Sequence, residues 1–175
     1  MSKLAFIFPG QGAQKAGMGK DFYENSEAAR SFFDNAQKIL DFDLKEMCFG
    51  EHEELNLTEY TQPCMVSVCL AIVQELKKRG INPDITAGLS LGEYAAVAAA
   101  GGMNELDAIK LVRRRGILMQ STVPAGEGAM AAVLGLDAKK IEEILESFEN
   151  VWIANYNCPG QIVITGLTNE VQQAS

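Results

Sequence analysis

Positive charge is scarce in this sequence. Its 15 Lys and Arg residues stand against 23 Asp and Glu, a net charge of −8. That balance argues against a nucleic-acid partner, because phosphate binding needs a basic surface. Histidine is scarcer still: His52 is the only one in 175 residues. Chemistry that needs an imidazole base must therefore use His52 or a group outside this chain. No apolar run reaches the length of a membrane span. The run after Met1-Ser2-Lys3 stops at Pro9, too short for a signal-peptide core. The four cysteines, Cys48, Cys64, Cys69 and Cys158, fit no zinc or redox spacing. Cys64 and Cys69 fall in an apolar helical stretch, where a free thiol behaves as a small hydrophobe. A reducing cytoplasm is the expected location, and neither a metal nor a cofactor is implied. What remains is 47% apolar and 22% charged, an ordinary globular balance. The length suits one domain, or one domain and part of another.

Against that background one stretch stands out. "AGLSLGEYAA", residues 87–96, places Ser90 in a G-x-S-x-G pattern between an apolar approach and a helix. The pattern lifts a serine onto a sharp strand-to-helix turn, where its hydroxyl can act as a nucleophile. The same turn sets the Leu91 N–H, at the helix start, where it can stabilise an oxyanion. A helix-capping serine in a Gly-rich turn fits the pattern equally well.

The remaining elements follow from periodicity. "KLAFIFPG" (3–10) reads as a strand, and "GQGAQKAGMG" (10–19) as a loop that can approach a ligand closely. A helix is expected over 26–40 with Ser26 as its cap, then an acidic connector over 51–60. A second helix is expected over 61–78, capped by Thr61, with Pro63 in its first turn. Residues 81–88 hold a turn and a short strand. Residues 104–120 form a helix started by Asn104-x-x-Asp107. "PAGEG" (124–128) marks a boundary, giving domains 1–124 and 125–175. Beyond it the order is strand 129–136, helix 137–148, strand 151–157, strand 162–166, and a helix capped by Thr168. A β-α-β-β-α unit wants one more strand to close a split βαβ sheet. The chain is therefore expected to be part of a longer protein.

Several of these residues together resemble the malonyl-CoA:acyl-carrier-protein transacylase family. They are Phe8-Pro9-Gly10-Gln11-Gly12-Ala13-Gln14, Thr61-Gln62-Pro63, the Ser90 elbow with Glu93-Tyr94, and Arg115-Gly116 with Met119-Gln120. Gly128-Ala129-Met130-Ala131 and Asn155-Tyr156-Asn157 through Gly160-Gln161 follow in order. The resemblance implies an α/β fold: an α/β-hydrolase-like larger subdomain with an inserted ferredoxin-like small subdomain, both incomplete in this chain. It implies Ser90 as nucleophile and the Gln11 backbone N–H as a second oxyanion donor. Malonyl-CoA and acyl carrier protein are the implied substrates, with no metal or redox cofactor and a monomeric full-length protein. The family's catalytic histidine lies beyond residue 175. Leu89 stands where the family usually has histidine, from which altered packing is expected rather than lost chemistry.

Arg115 carries a reading of its own. Leu111, Val112, Leu118 and Met119, its neighbours one turn away, are all apolar. A guanidinium on an apolar face needs an anionic partner. That partner is an internal carboxylate or, on the resemblance, the free carboxylate of a malonyl group. Arg113 and Arg114 are expected on a solvated face, and His52, among Glu51, Glu53 and Glu54, at the surface. Two functions stay open: an acyltransferase working through Ser90, or a module that binds acyl-CoA or carrier protein without turnover.

Overall fold

Two short parallel strands and a set of helices carry the Ser90 elbow. The computed structural model describes residues 3–123 and 126–175. Pro124 and Ala125 of the expected boundary lie outside them. The chain divides into two units, Met1–Gln120 and Ser121–Ser175.

In the first unit, β1 (Ala5–Phe8) is followed by α1 (Lys20–Asn25), α2 (Glu27–Gln37) and α3 (Leu44–Phe49). A 3-10 turn (Glu53–Asn56) leads into the long α4 (Thr58–Lys78), then β2 (Ile85–Gly88), α5 (Leu91–Ala99) and α6 (Glu105–Thr122). β1 and β2 pair in parallel, Ala5 with Ile85 through Phe8 with Gly88. α5 packs on both strands and on α4, and α2 packs on α4. The core holds Phe8, Phe33, Leu44, Leu70, Leu91, Ile109 and Val112, with the alanines of α5 letting that helix sit close.

Local chemistry explains most helix starts. The Ser26 hydroxyl accepts from the Ala29 N–H, as expected of an N-cap. Asn104 Oδ1 accepts from the Leu106 and Asp107 N–H groups. α1 and α3 were not expected; each is six residues long, too short to show a period. Asp43-x-x-Glu46 was the available signal for α3, since Asp43 accepts from the Glu46 N–H. Cys48 and Cys64 are both buried, and a thiol hydrogen bond between them pushes Cys48 well above the ordinary thiol range. Burial pushes Cys69 to about 11.

The start of α4 differs from expectation. The helix begins at Thr58, so Thr61 lies inside it, and its hydroxyl donates to the Leu55 and Leu57 carbonyls. Pro63 accordingly sits in the second turn. A proline there leaves the carbonyl four residues back, that of Glu59, without its helical donor. Arg113 fills the vacancy: its Nη1 donates to Glu59 O at 2.8 Å.

Between α2 and α4, Ser26 Oγ also donates to the largely buried Glu75 carboxylate, which pairs with Arg79 as well. The Ser26 bond, then Arg79, holds Glu75 below its ordinary 4.5. A depressed folded-state value means stability present above the unfolded value and lost as pH falls through the folded one. The thermal midpoint should therefore fall more steeply between about pH 5 and pH 3 in the native protein than in Glu75→Gln. Parallel pH profiles for the two would overturn this.

The second unit runs β3 (Gly128–Leu134), α7 (Ala138–Leu145), β4 (Val151–Cys158), β5 (Gln161–Leu167) and α8 (Thr168–Ala174). The strands form one antiparallel sheet in the order β3-β5-β4. Ile141, Val151, Ile162, Ile164 and Val171 form its core. Asp137 caps α7 by accepting from the Lys139 N–H. Thr168 does not cap α8. Its hydroxyl donates to Gly126 O instead, and Leu167 holds the cap position.

Candidate active site

The site grows from the matched ends of β1 and β2. Phe8 and Gly88 are register partners, so the chain leaves both strands at the same end of the sheet. Ligand sites of parallel sheets lie at such carboxyl ends. After β1 comes Pro9-Gly10-Gln11-Gly12; after β2 comes Leu89-Ser90-Leu91. The Leu89 N–H donates to Phe8 O at 3.1 Å and ties the two exits together. The Leu89 side chain is 47% exposed and lies against Gly10.

Ser90 is held at φ 49°, ψ −97°, the only non-glycine residue with positive φ among those described. Backbone of this kind is strained for an L-residue and persists only where its surroundings impose it. The imposition is visible. A Cβ on Gly88 would lie 2.1 Å from the Gly92 carbonyl carbon, and one on Gly92 would lie 2.3 Å from Phe8 O. The elbow is thus packed backbone to backbone. Ser90 stands at the N-terminus of α5, yet its side chain makes no capping bond. That removes the helix-cap reading. The Leu91 and Gln11 N–H groups have no acceptor among the described residues. The Leu91 N–H also lies at the positive end of the α5 dipole.

Arg115 Nη2 donates to Ser90 Oγ at 3.4 Å, long for a hydrogen bond. Its guanidinium lies 5.6 Å over the Tyr94 ring. Among the described residues no carboxylate pairs with it. The internal salt bridge open in the sequence is therefore absent. Arg115 does not project from a buried apolar face as expected, because Leu111, Leu118 and Met119 are 44–50% exposed. The deeply buried arginine is Arg113, which was expected in solvent. At 12% side-chain exposure it pairs with both Asp41 oxygens at 2.9 Å and with Glu59 at 3.1 Å. Its guanidinium also lies 5.2 and 5.0 Å over the Phe42 and Tyr60 rings. The Arg113 bond holds Asp41 below the ordinary carboxylate range. Helix-neighbour counting missed this because every one of those partners comes from outside α6.

His52 is half-buried. Its Nε2 bonds Glu46 Oε1 at 3.0 Å, and it borders a cavity with Gln14, Lys15 and Asn56. Neither His52 nor any carboxylate bonds Ser90 Oγ among the described residues. An apolar cavity of about 400 Å³ along β1 and α4 includes Phe6, Met65 and Ile72 but neither Ser90 nor Arg115. No cluster of three or more His, Cys, Asp or Glu side chains is placed to hold a metal ion among the described residues. No helix is long and apolar enough to cross a membrane among them. Thr58 escaped the sequence reading, and Gln120 entered it only as part of the family resemblance, with no contact assigned. Gln11 Nε2 donates to Thr58 Oγ1 at 3.1 Å, and the Thr58 N–H donates to Gln120 Oε1 at 3.1 Å. No local pattern signals contacts over such separations.

A strained serine between two close-packed glycines, beside an unpaired arginine, can be set against known proteins. The model of the acyl transferase domain matches residues 5–175. The chain belongs to the acyl transferase domain family. It is 48% identical over 180 residues to the malonyl CoA-acyl carrier protein transacylase of Bacillus subtilis, across all of this chain and 57% of that relative. The crystal structure of the malonyl CoA-acyl carrier protein transacylase from Clostridium perfringens superposes with a TM-score of 0.90 at 44% identity. That match covers 99% of this chain and 56% of the other. A malonyl-transacylase solved in complex with its type II PKS acyl-carrier protein gives 0.90 at 39% identity, over 99% and 58%. The chain thus spans a little over half the length of these relatives, and its α/β fold is theirs.

Proposed function

We propose that the protein transfers the malonyl group of malonyl-CoA to the phosphopantetheine thiol of acyl carrier protein, in fatty acid biosynthesis. The observation that carries this is the unpaired Arg115 guanidinium beside a Ser90 held in a nucleophile's elbow. The names of the close relatives support the substrates. Ser90 Oγ attacks the thioester carbonyl and loses its proton to a base. The developing oxyanion is met by the Leu91 and Gln11 N–H groups. The C–S bond then breaks, CoA leaves as the thiol, and a malonyl ester remains on Ser90. The carrier's thiol attacks that ester and restores Ser90, a ping-pong scheme that needs neither metal nor redox cofactor. His52 does not bond Ser90 Oγ among the described residues, and the resemblance places the base on a histidine outside residues 1–175.

The same reading describes the first unit as the N-terminal part of an α/β-hydrolase-like subdomain. The second is a partial ferredoxin-like one, supported by the β3-β5-β4 order with β5 between two strands joined through α7. Free cysteines support a reducing cytoplasm.

The test is the intact mass of the full-length protein after brief mixing with malonyl-CoA. One malonyl group on the peptide carrying Ser90 is expected. A protein that binds malonyl-CoA and gains no mass would instead be a binding module. Arg115 should set the acyl preference, because a charge-assisted pair with the malonyl carboxylate is missing from an acetyl group. Arg115→Ala should cut the ratio of malonyl to acetyl labelling rates about a hundredfold. An unchanged ratio would remove Arg115 from the acyl site.

A further inference from the structure

We propose that Thr58 and Gln120 are positioning residues: the first turn of α4 is a strut that sets the Gln11 loop relative to the helix bearing Arg115. The inference deepens the acyl-transfer reading and rests on it.

Residues 11–13 are exposed, so apolar burial does not hold the tip of this loop. Side-chain bonds do. Gln11 Nε2 reaches Thr58 Oγ1, Gln14 Nε2 reaches Asn56 Oδ1 at 3.1 Å, and Gln14 Oε1 accepts the Gly12 N–H at 2.8 Å. Both anchors, Asn56 and Thr58, lie at the entrance to α4. That entrance lacks a cap of its own, since Leu57 offers no side-chain acceptor. Gln120 supplies one from α6, taking the Thr58 N–H. Two more contacts fix the same turn. Arg113 donates to Glu59 O. Gly116 lies so close that a Cβ there would be 2.8 Å from Thr58 O and from Glu59 Cα.

Positions 113, 116 and 120 recur at i, i+3 and i+7, so one face of α6 grips the first turn of α4. Arg115 projects from the neighbouring face toward Ser90. The oxyanion donor at Gln11 and the guanidinium at Arg115 are therefore referenced to one helix, through Gln11–Thr58–Gln120. Misplacing a donor by a fraction of its bond length weakens transition-state stabilisation and leaves ground-state binding little changed.

In the full-length protein, Thr58→Val should lower kcat about ten- to a hundredfold with KM for malonyl-CoA unchanged. Thr58→Ser, which keeps the hydroxyl, should restore it. Gln11→Ala removes the other end of the tether and keeps the backbone N–H, so Thr58→Val should add nothing in that background. Hydrogen exchange at residues 10–14 should quicken in Thr58→Val and not in Thr58→Ser. A native kcat in Thr58→Val, equal impairment in Thr58→Ser, or additive losses would each overturn the proposal. Absence of any malonyl adduct on the native protein would sink the acyl-transfer reading instead. The exchange measurement would then still decide whether Thr58 holds the loop.

Discussion

On the acyl-transfer proposal, replacing Ser90 by alanine should abolish the malonyl adduct and lower turnover about a million-fold, while leaving stability within about 1 kcal/mol of the native protein. The two halves of this expectation come from different facts. The chemical half follows because alanine has no oxygen to form the ester. The stability half follows because, among the described residues, the Ser90 hydroxyl makes no capping bond and bonds only Arg115, at 3.4 Å. A capping serine would behave otherwise, costing about 1 kcal/mol or more on replacement. Ser90→Gly sharpens the comparison. It should be equally inactive and more stable by about 1 kcal/mol, because glycine reaches φ 49° without the steric penalty. Calorimetry beside the intact-mass assay checks both. A stabilised Ser90→Gly with no adduct would show strain held in the native chain for reactivity. A destabilised Ser90→Ala would return Ser90 to a structural role.

Gly92→Ala, like Gly88→Ala, should be among the most damaging single methyl groups added to the elbow. Its Cβ would meet Phe8 O at 2.3 Å and Pro9 O at 2.7 Å, both backbone atoms that no side-chain rotation can move. Relief requires parting β1 from the first turn of α5, where Phe8 and Leu91 are buried at 5% and 1% exposure. A loss of about 3–5 kcal/mol is expected, a drop in thermal midpoint of about 10–15 °C. Gly80→Ala is the control. Gly80 has φ 75° but open space around its Cβ position, so the change should cost only about 1 kcal/mol of left-handed backbone penalty. Equal losses at the two sites would mean that conformation, not close approach, is what Gly92 supplies.

Much of this was legible in the residues. The elbow could be read because its requirements are local: two small residues flanking a serine at a strand-to-helix turn. Ser26 and Asp137 were legible as a cap and a helix start for the same reason, since a capping bond spans two or three residues. Errors arose where the deciding partner was far along the chain. Thr61 reads as a cap, but three further residues coil ahead of it because Gln120, sixty-two positions on, takes the Thr58 N–H. Arg113 reads as solvated because Lys110 lies one turn away on its own helix, whereas Asp41, Phe42, Glu59 and Tyr60 converge on it from elsewhere.

The sequence by itself determined the longer helices and the strands, the serine at the elbow and the family, because periodicity, glycine placement and ordered motifs survive without coordinates. Only the tertiary structure decided which arginine is buried, which stands unpaired beside Ser90, and what holds the Gln11 loop. The physical reason is range: a helix turn or a cap is settled within four residues, whereas the environment of a charge is set by whatever folding brings to it.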